Sequence, residues 1–283
     1  MSGTNPGTES QTADRTALTE RLVRFQQPGK SLFYLGRVEE TRVAELFGLD
    51  LDAYRAMLAG FEDQVREVAG ELLARPGFGE LVDRLPFEAD QHIVAIGEST
   101  TADRLSWFEI LRHLLALRRP AESIRLTNLA VSGSSTTQAL TLLPGLAFQR
   151  PDQVLCMLGA NDVQRLGPGG PSLVSLSETE RNLRALRDLA GRRGPLRWTW
   201  LTPSAVDEAR VAEYTHFQRA GLSWANEDID AVAEFLLREP EPTVDTRSLP
   251  HSGDDPHLPD GVHLTLEGQR DVAVAVVQAL AGA

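Results

Sequence analysis

Apolar positions along the chain change their rhythm near residue 90. Between Val43 and Leu73 they recur at helical spacing: Val43, Leu46, Phe47, then Leu51, Tyr54, Leu58, Phe61, Val65, Val68 and Leu72. Gly48 and Gly60 punctuate that run. The stretch from about Leu18 to Leu85 therefore reads as mainly helical, with a faint alternation at Ser31 to Leu35. From His92 onward, short apolar runs rich in β-branched residues alternate with amphipathic segments. The runs are Ile93–Ile96, Ile124–Val131, Val154–Leu158, Leu196–Leu201 and the weaker Thr243–Val244. Helices are expected at about Asp103–Leu117, Thr136–Leu143, Glu178–Arg192, Val206–Ala220, Asn226–Leu237 and Leu266–Leu280. Strands without polar alternation are buried on both faces. Interleaved with helices, they imply an α/β fold with a parallel sheet covered on both sides. The expected organisation is a disordered tail over 1–15, a helical extension over 16–90 and an α/β unit over 91–283, with the boundary near Asp90.

Parallel sheets of this kind present ligands at the carboxyl ends of their strands, so the chemistry is sought there. The first run ends in Gly97-Glu98-Ser99-Thr100. A serine at a strand-to-helix junction is commonly a helix cap, but the free N–H groups there also favour an oxyanion. The second run leads to Ser132-Gly133-Ser134, where a residue without Cβ lets its N–H approach a ligand. The third ends in Gly159-Ala160-Asn161-Asp162, which is an Asx turn or a carboxamide donor for a developing negative oxygen. Near the C-terminus stands Asp260-Gly261-Val262-His263, where a carboxylate three residues before an imidazole can orient the ring.

Each of these signals is modest alone. Their order, each at an expected strand end, resembles the SGNH, or GDSL-like, hydrolases. That family carries Gly-Asp-Ser, a Gly, Gly-x-Asn-Asp and a final Asp-x-x-His. The resemblance covers about Ile93 to Ala279. Glu98 stands where the family usually has Asp. The resemblance implies a three-layer α/β/α sandwich of the flavodoxin-like type, with a central, mainly parallel five-stranded sheet. It also implies an esterase in which Ser99 is the nucleophile, His263 the general base and acid, and Asp260 the orienting carboxylate. The implied oxyanion hole is the N–H of Ser99, the N–H of Gly133 and the side-chain amide of Asn161. No cofactor or metal is implied. The substrate class is an O-acyl ester, either of a small acyl group or linked to carbohydrate. An acyltransferase would use the same triad with an acceptor other than water, and residues alone do not separate the two. A non-catalytic binding protein would have no need of Ser99, Asn161 and His263 together.

A second Asp-x-x-His, Asp254 with His257, lies in a proline-rich loop. His263 is preferred because a helix follows it directly, as in the family's last block. Other readings fall away. Gly29-Lys30-Ser31 lacks the first glycine of a P-loop, since position 24 is Arg. The Gly-x-Ser-x-Gly elbow is missing because position 101 is Thr. The six histidines do not pair at zinc-helix spacing, and a metal held by His251, Asp254, Asp255 and His257 is the weaker reading of that loop.

Charge removes further classes. The chain carries −12 at neutral pH with no concentrated basic patch, the short pairs Arg118-Arg119 and Arg192-Arg193 reading as solvated helix ends, which argues against nucleic acid and against the faint helix-turn-helix look of Val43–Leu58. No apolar run approaches the ~20 residues that a membrane span requires. The N-terminal residues lack the basic and apolar regions of a signal peptide, so a cytoplasmic location is expected. The single cysteine, Cys156, sits in an apolar run and reads as a buried, inert thiol. Trp198 and Trp200 alternate on a strand, share a face and read as core. The helical extension is expected to form a wall of the substrate cleft, or else a homodimer surface.

Overall fold

The computed structural model describes residues 6–31, 38–167, 169–192, 194–247, 249 and 255–282. Five helices come first: α1 (Pro6–Phe25), α2 (Pro28–Ser31), α3 (Glu40–Leu46), α4 (Leu51–Leu73) and α5 (Phe78–Asp83). The first turns of α1 fall in the polar stretch where a tail is expected. The chain turns between α3 and α4 at Gly48, while α4 runs through Gly60 without a break. Asp50 opens α4 by accepting the Ala53 N–H. The alternating stretch at Ser31–Leu35 lies almost wholly outside the described residues.

The α/β unit then runs β1 (His92–Gly97), α6 (Ser99–Ala102), α7 (Trp107–Arg118), β2 (Arg125–Asn128), α8 (Thr136–Thr141), α9 (Leu143–Gln149) and β3 (Gln153–Met157). It continues through β4 (Arg165–Leu166), α10 (Leu176–Gly191), β5 (Arg197–Leu201), α11 (Glu208–Glu213), α12 (Thr215–Ala220) and β6 (Leu222–Ser223). It ends with α13 (Asn226–Leu237), β7 (Thr243–Val244) and α14 (Leu266–Ala281). Five strands form one parallel sheet in the order β2-β1-β3-β5-β7. β4 and β6 pair antiparallel as a separate ribbon.

Alternation along the buried strands divides the core in two. Ile93, Ala95, Leu155, Met157 and Leu201 face α7 and α14. Val94, Ile96, Val154, Cys156, Trp198 and Trp200 face the other way, toward α8, α9, α10 and α13. The two tryptophans share that second face, with ring centroids 5.0 Å apart. Cys156 is fully buried there, and burial, with the nearby Glu98 carboxyl, pushes its thiol well above the usual range. The helical extension joins the first face. Phe61, Val65, Ala69 and Leu72 of α4 and Phe78 and Val82 of α5 are buried in one cluster with Trp107, Ile110, Leu111 and Leu114 of α7. The apolar stripe of α4 is thus covered by the α7 layer of the chain's own α/β unit.

Some boundaries differ from expectation for local reasons. The second strand ends at Asn128, whose side-chain oxygen accepts the Ala130 N–H, while the Leu129 and Val131 N–H groups still reach the Ala95 and Gly97 carbonyls of β1. The helix expected over Val206–Ala220 is two helices that meet at Tyr214. The helix expected from Asp103 starts at Trp107, where Ser106 caps it. Among the described residues, no helix is long and apolar enough to cross a membrane.

Candidate active site

β1 delivers Ser99. The strand ends at Gly97 and α6 starts at Ser99, with no room for a side chain at position 97: a Cβ on Gly97 would sit 2.5 Å from Thr101 Oγ1 and 3.0 Å from the Met157 carbonyl. Ser99 is buried at the first position of α6, where N–H groups have no intrahelical acceptor.

The loop after β3 is fastened to this junction by Glu98. Its Oε1 accepts the Ala160 N–H at 2.9 Å and its Oε2 accepts the Asn161 N–H at 3.0 Å. The carboxylate therefore holds the residue that carries the candidate carboxamide. Burial pushes Glu98 up to about 8. The N–H bonds from Asn161 and Ala160 oppose that rise, and the charge of Asp162 adds to it. Asn161 Nδ2 donates to the Ser134 carbonyl at 3.2 Å, and the Asn161 side chain also bonds the Glu98 carboxyl.

Asp162 ties the same loop to the next one. It accepts the Thr136 N–H at 2.9 Å, the Thr136 hydroxyl, and the Thr179 hydroxyl at 3.0 Å. This fixes the start of α8 just after Gly133. Gly133 adopts φ +79°, a conformation that suits glycine, and no acceptor among the described residues takes its N–H. The tops of β1, β2 and β3 are thus locked together by two buried carboxyl groups.

His263 precedes α14, whose cap is Thr265. Its Nδ1 lies 2.8 Å from Asp260 Oδ2. Asp260 is fully buried, and its Oδ1 accepts the N–H groups of Val262 and His263, both at 2.8 Å. Burial alone would raise this carboxyl. The hydrogen bond, charge and backbone N–H of His263, with the Arg21 guanidinium, outweigh burial and hold it well below the usual range. An ionised carboxylate only accepts, so Nδ1 carries the hydrogen that faces Asp260.

Buried Gln269 ties this loop to the helix that carries Ser99. Its Nε2 donates to the Thr100 carbonyl at 3.0 Å and to Asp103 Oδ2 at 3.2 Å. Its Oε1 accepts the Trp107 N–H at 3.0 Å. The helix after His263 is thereby pinned to the helix that begins at Ser99. His257 has a different environment: its Nε2 lies 2.9 Å from the Ala205 carbonyl, and its backbone bridges Leu264. Asp254 and His251 lie outside the described residues.

The end of α1 closes one side. The Phe25 ring packs on the His263 ring with centroids 4.6 Å apart, and the Phe25 carbonyl accepts the Ser132 hydroxyl at 2.6 Å. Arg24 grips Asp103 at 2.7 and 2.6 Å and reaches the Leu264 carbonyl at 3.0 Å. Sequence reasoning did not single out Arg21, Arg24, Phe25, Asp162 or Gln269. Only Asp162 had a local signal, its place in the Asn-Asp pair. A cavity of about 700 Å³ between α9 and α10 lies at the opposite end of the sheet, near Pro151 and Leu196, away from these groups.

Residues 95–270 match the GDSL-like lipase/acylhydrolase family. The chain belongs to that family, and it is a carboxylic ester hydrolase. A lipase/acylhydrolase from Enterococcus faecalis shares the fold at TM-score 0.53 and 20% identity, over 68% of this chain and 96% of that one. An acetylxylan esterase from Geobacillus stearothermophilus does so at 0.50 and 20%, over 68% and 95%. An alpha/beta hydrolase, LAE5, from the metagenome of Lake Arreo matches at 0.50 and 21%, over 69% and 96%. No curated protein matches the chain in sequence. The GDSL family assignment agrees with the resemblance drawn from the strand-end motifs, and the parallel five-stranded sheet agrees with the fold it implies.

Proposed function

We propose that this GDSL family member cleaves an O-acyl ester through an acyl-enzyme on Ser99. The observation that carries the proposal is the hydrogen bond between His263 and buried Asp260, set on a loop that Gln269 pins to the Ser99 helix. His263 Nε2 takes the Ser99 proton as Oγ bonds to the acyl carbon, and returns it to the departing alcohol. Water then attacks the acyl-enzyme with the same base, and the carboxylic acid leaves with Ser99 restored. Asp260 fixes the ring and stabilises the imidazolium. The oxyanion is received by the N–H of Ser99, the N–H of Gly133 and the side-chain amide of Asn161. These donors are fixed before substrate arrives, because Glu98 and Asp162 hold the loops that carry them.

The acyl group proposed is small, and the alcohol a carbohydrate hydroxyl. Support comes from the acetylxylan esterase among the structural relatives, together with Phe25 packed against His263, which narrows the space beside the base. The test is a panel of p-nitrophenyl esters of graded chain length run beside acetylated sugars. Turnover should be highest for acetyl esters and should vanish in Ser99→Ala. Full activity in that variant would overturn the assignment of the nucleophile.

A further inference from the structure

Helix α1 precedes the region shared with the family, yet one of its arginines reaches the candidate triad across 239 positions of sequence. Arg21 Nη2 donates to Asp260 Oδ2, the same oxygen that faces His263 Nδ1. Its Nη1 donates to the Tyr214 hydroxyl at 3.0 Å, and its guanidinium lies 5.5 Å from the Tyr214 ring centroid. Arg21 is therefore itself held at two places.

We propose that Arg21 is a positioning residue for the Asp260–His263 pair, so that α1 forms part of the catalytic machinery. The proposal rests on the triad reading given above. With Arg21 in place, both oxygens of Asp260 are fully engaged: Oδ1 by two backbone N–H groups, Oδ2 by His263 and Arg21. A carboxylate with its lone pairs so filled cannot rock, and the imidazole it orients cannot rock either. Phe25, one turn further along α1, packs on the same ring.

Arg21 also brings charge. A cation on the shared oxygen weakens the pull of Asp260 on the imidazolium. The other charged groups around the pair are already engaged with one another. Arg24 is bound to Asp103, and Arg210 of α11 is bound to Asp255 at 2.6 Å and Asp207 at 3.2 Å. Tyr214 contributes its hydroxyl to Arg21. Among the described residues, Arg21 is the cation bonded to Asp260. It should therefore order the base and also extend activity to lower pH.

The experiment is steady-state hydrolysis of p-nitrophenyl acetate across pH by the full chain and its Arg21→Gln, Arg21→Lys, Tyr214→Phe and His263→Ala variants, with thermal melts of each. Arg21→Gln should lower kcat about 10-fold with KM nearly unchanged, as a 1 Å misplacement can cost more. It should also move the acid limb of kcat/KM upward by about one pH unit. Arg21→Lys keeps the charge and should leave that limb in place while recovering part of kcat. Tyr214→Phe should lower kcat in the same sense by a smaller factor. Wild-type kcat and pH profile in Arg21→Gln would overturn the proposal, as would a loss that follows the melting temperature with the limb unmoved. If Arg21→Gln does not fold, Tyr214→Phe decides, and an unchanged kcat there overturns it. An active His263→Ala variant means that the triad reading has failed. An inactive one beside a wild-type Arg21→Gln means that only the role of Arg21 has.

Discussion

At the scale of single residues, two side chains beside Ser99 act in opposite ways. In the proposed reaction the side-chain amide of Asn161 matters only when negative charge develops on the acyl oxygen. Asn161→Ala should therefore lower kcat by about 10²–10³ and leave KM nearly unchanged, as steady-state kinetics would register. Glu98 never needs to touch substrate; it holds Asn161 through the backbone. Burial raises its pKa to about 8, so the folded state binds this proton more tightly than the unfolded chain does. The stability it contributes is then greatest below the ordinary carboxyl value of about 4.5 and falls as pH rises toward 8. Glu98→Gln should flatten that slope in urea denaturation between pH 5 and 8.5. It should also cost about 1–3 kcal/mol at low pH, because an amide presents hydrogens where one backbone N–H needs an acceptor. An equally steep slope in the variant would mean that Glu98 does not titrate in this window.

At the scale of elements, what counts is how two helices distant in sequence come to share a site. α6 and α14 are joined by Gln269, which satisfies a buried N–H of Trp107 and a carbonyl of Thr100. Gln269→Leu keeps the volume but orphans both groups, each at a cost of about 1–3 kcal/mol. Thermal unfolding should register a loss of several degrees, and kcat should fall because His263 rides on the loop that opens α14. The same contact shows what the sequence could and could not disclose. Buried strands were legible because Val94, Val154 and Trp200 need no partner to announce a two-sided core. The motif residues were legible because each sits where a strand meets a loop, a place defined by local pattern. Gln269 was not, since a glutamine one turn into an amphipathic helix looks like any solvated position until Trp107 is seen opposite it. Arg21 and Arg24 were hidden for the same reason. An arginine on α1 signals nothing until residues 239 or 79 positions away supply the carboxylates. Glu98 looked like a departure from the family pattern, and only the N–H groups of Ala160 and Asn161 give it a function.

At the scale of the whole molecule, the change of rhythm near residue 90 marks a change of architecture inside one core. Phe61, Val65 and Leu72 of α4 are at most 3% exposed, and their neighbours on α7 belong to the layer that covers the sheet. Burial of each such side chain is worth about 1.5–3 kcal/mol. Loss of several exceeds a substantial part of the 5–15 kcal/mol that holds an ordinary domain together. A chain of residues 91–283 alone should therefore fail to unfold cooperatively, with calorimetry and size exclusion as the measurements. A chain lacking only residues 1–38 makes the sharper comparison. It keeps α4 and α5, and gives up from the core mainly Val23 and Phe25. It also strips Arg24 from buried Asp103 and Arg21 from buried Asp260. Such a chain should still melt as one transition, at lower temperature. Its Ser99 should react with a fluorophosphonate at least 10-fold more slowly, because the base that activates it has lost its clamp. Labelling at the full rate in a folded truncation would show that α1 only covers the site. Slow labelling with the melt preserved would show that the extension supports the α/β unit through α4 and α5, and serves the chemistry through α1.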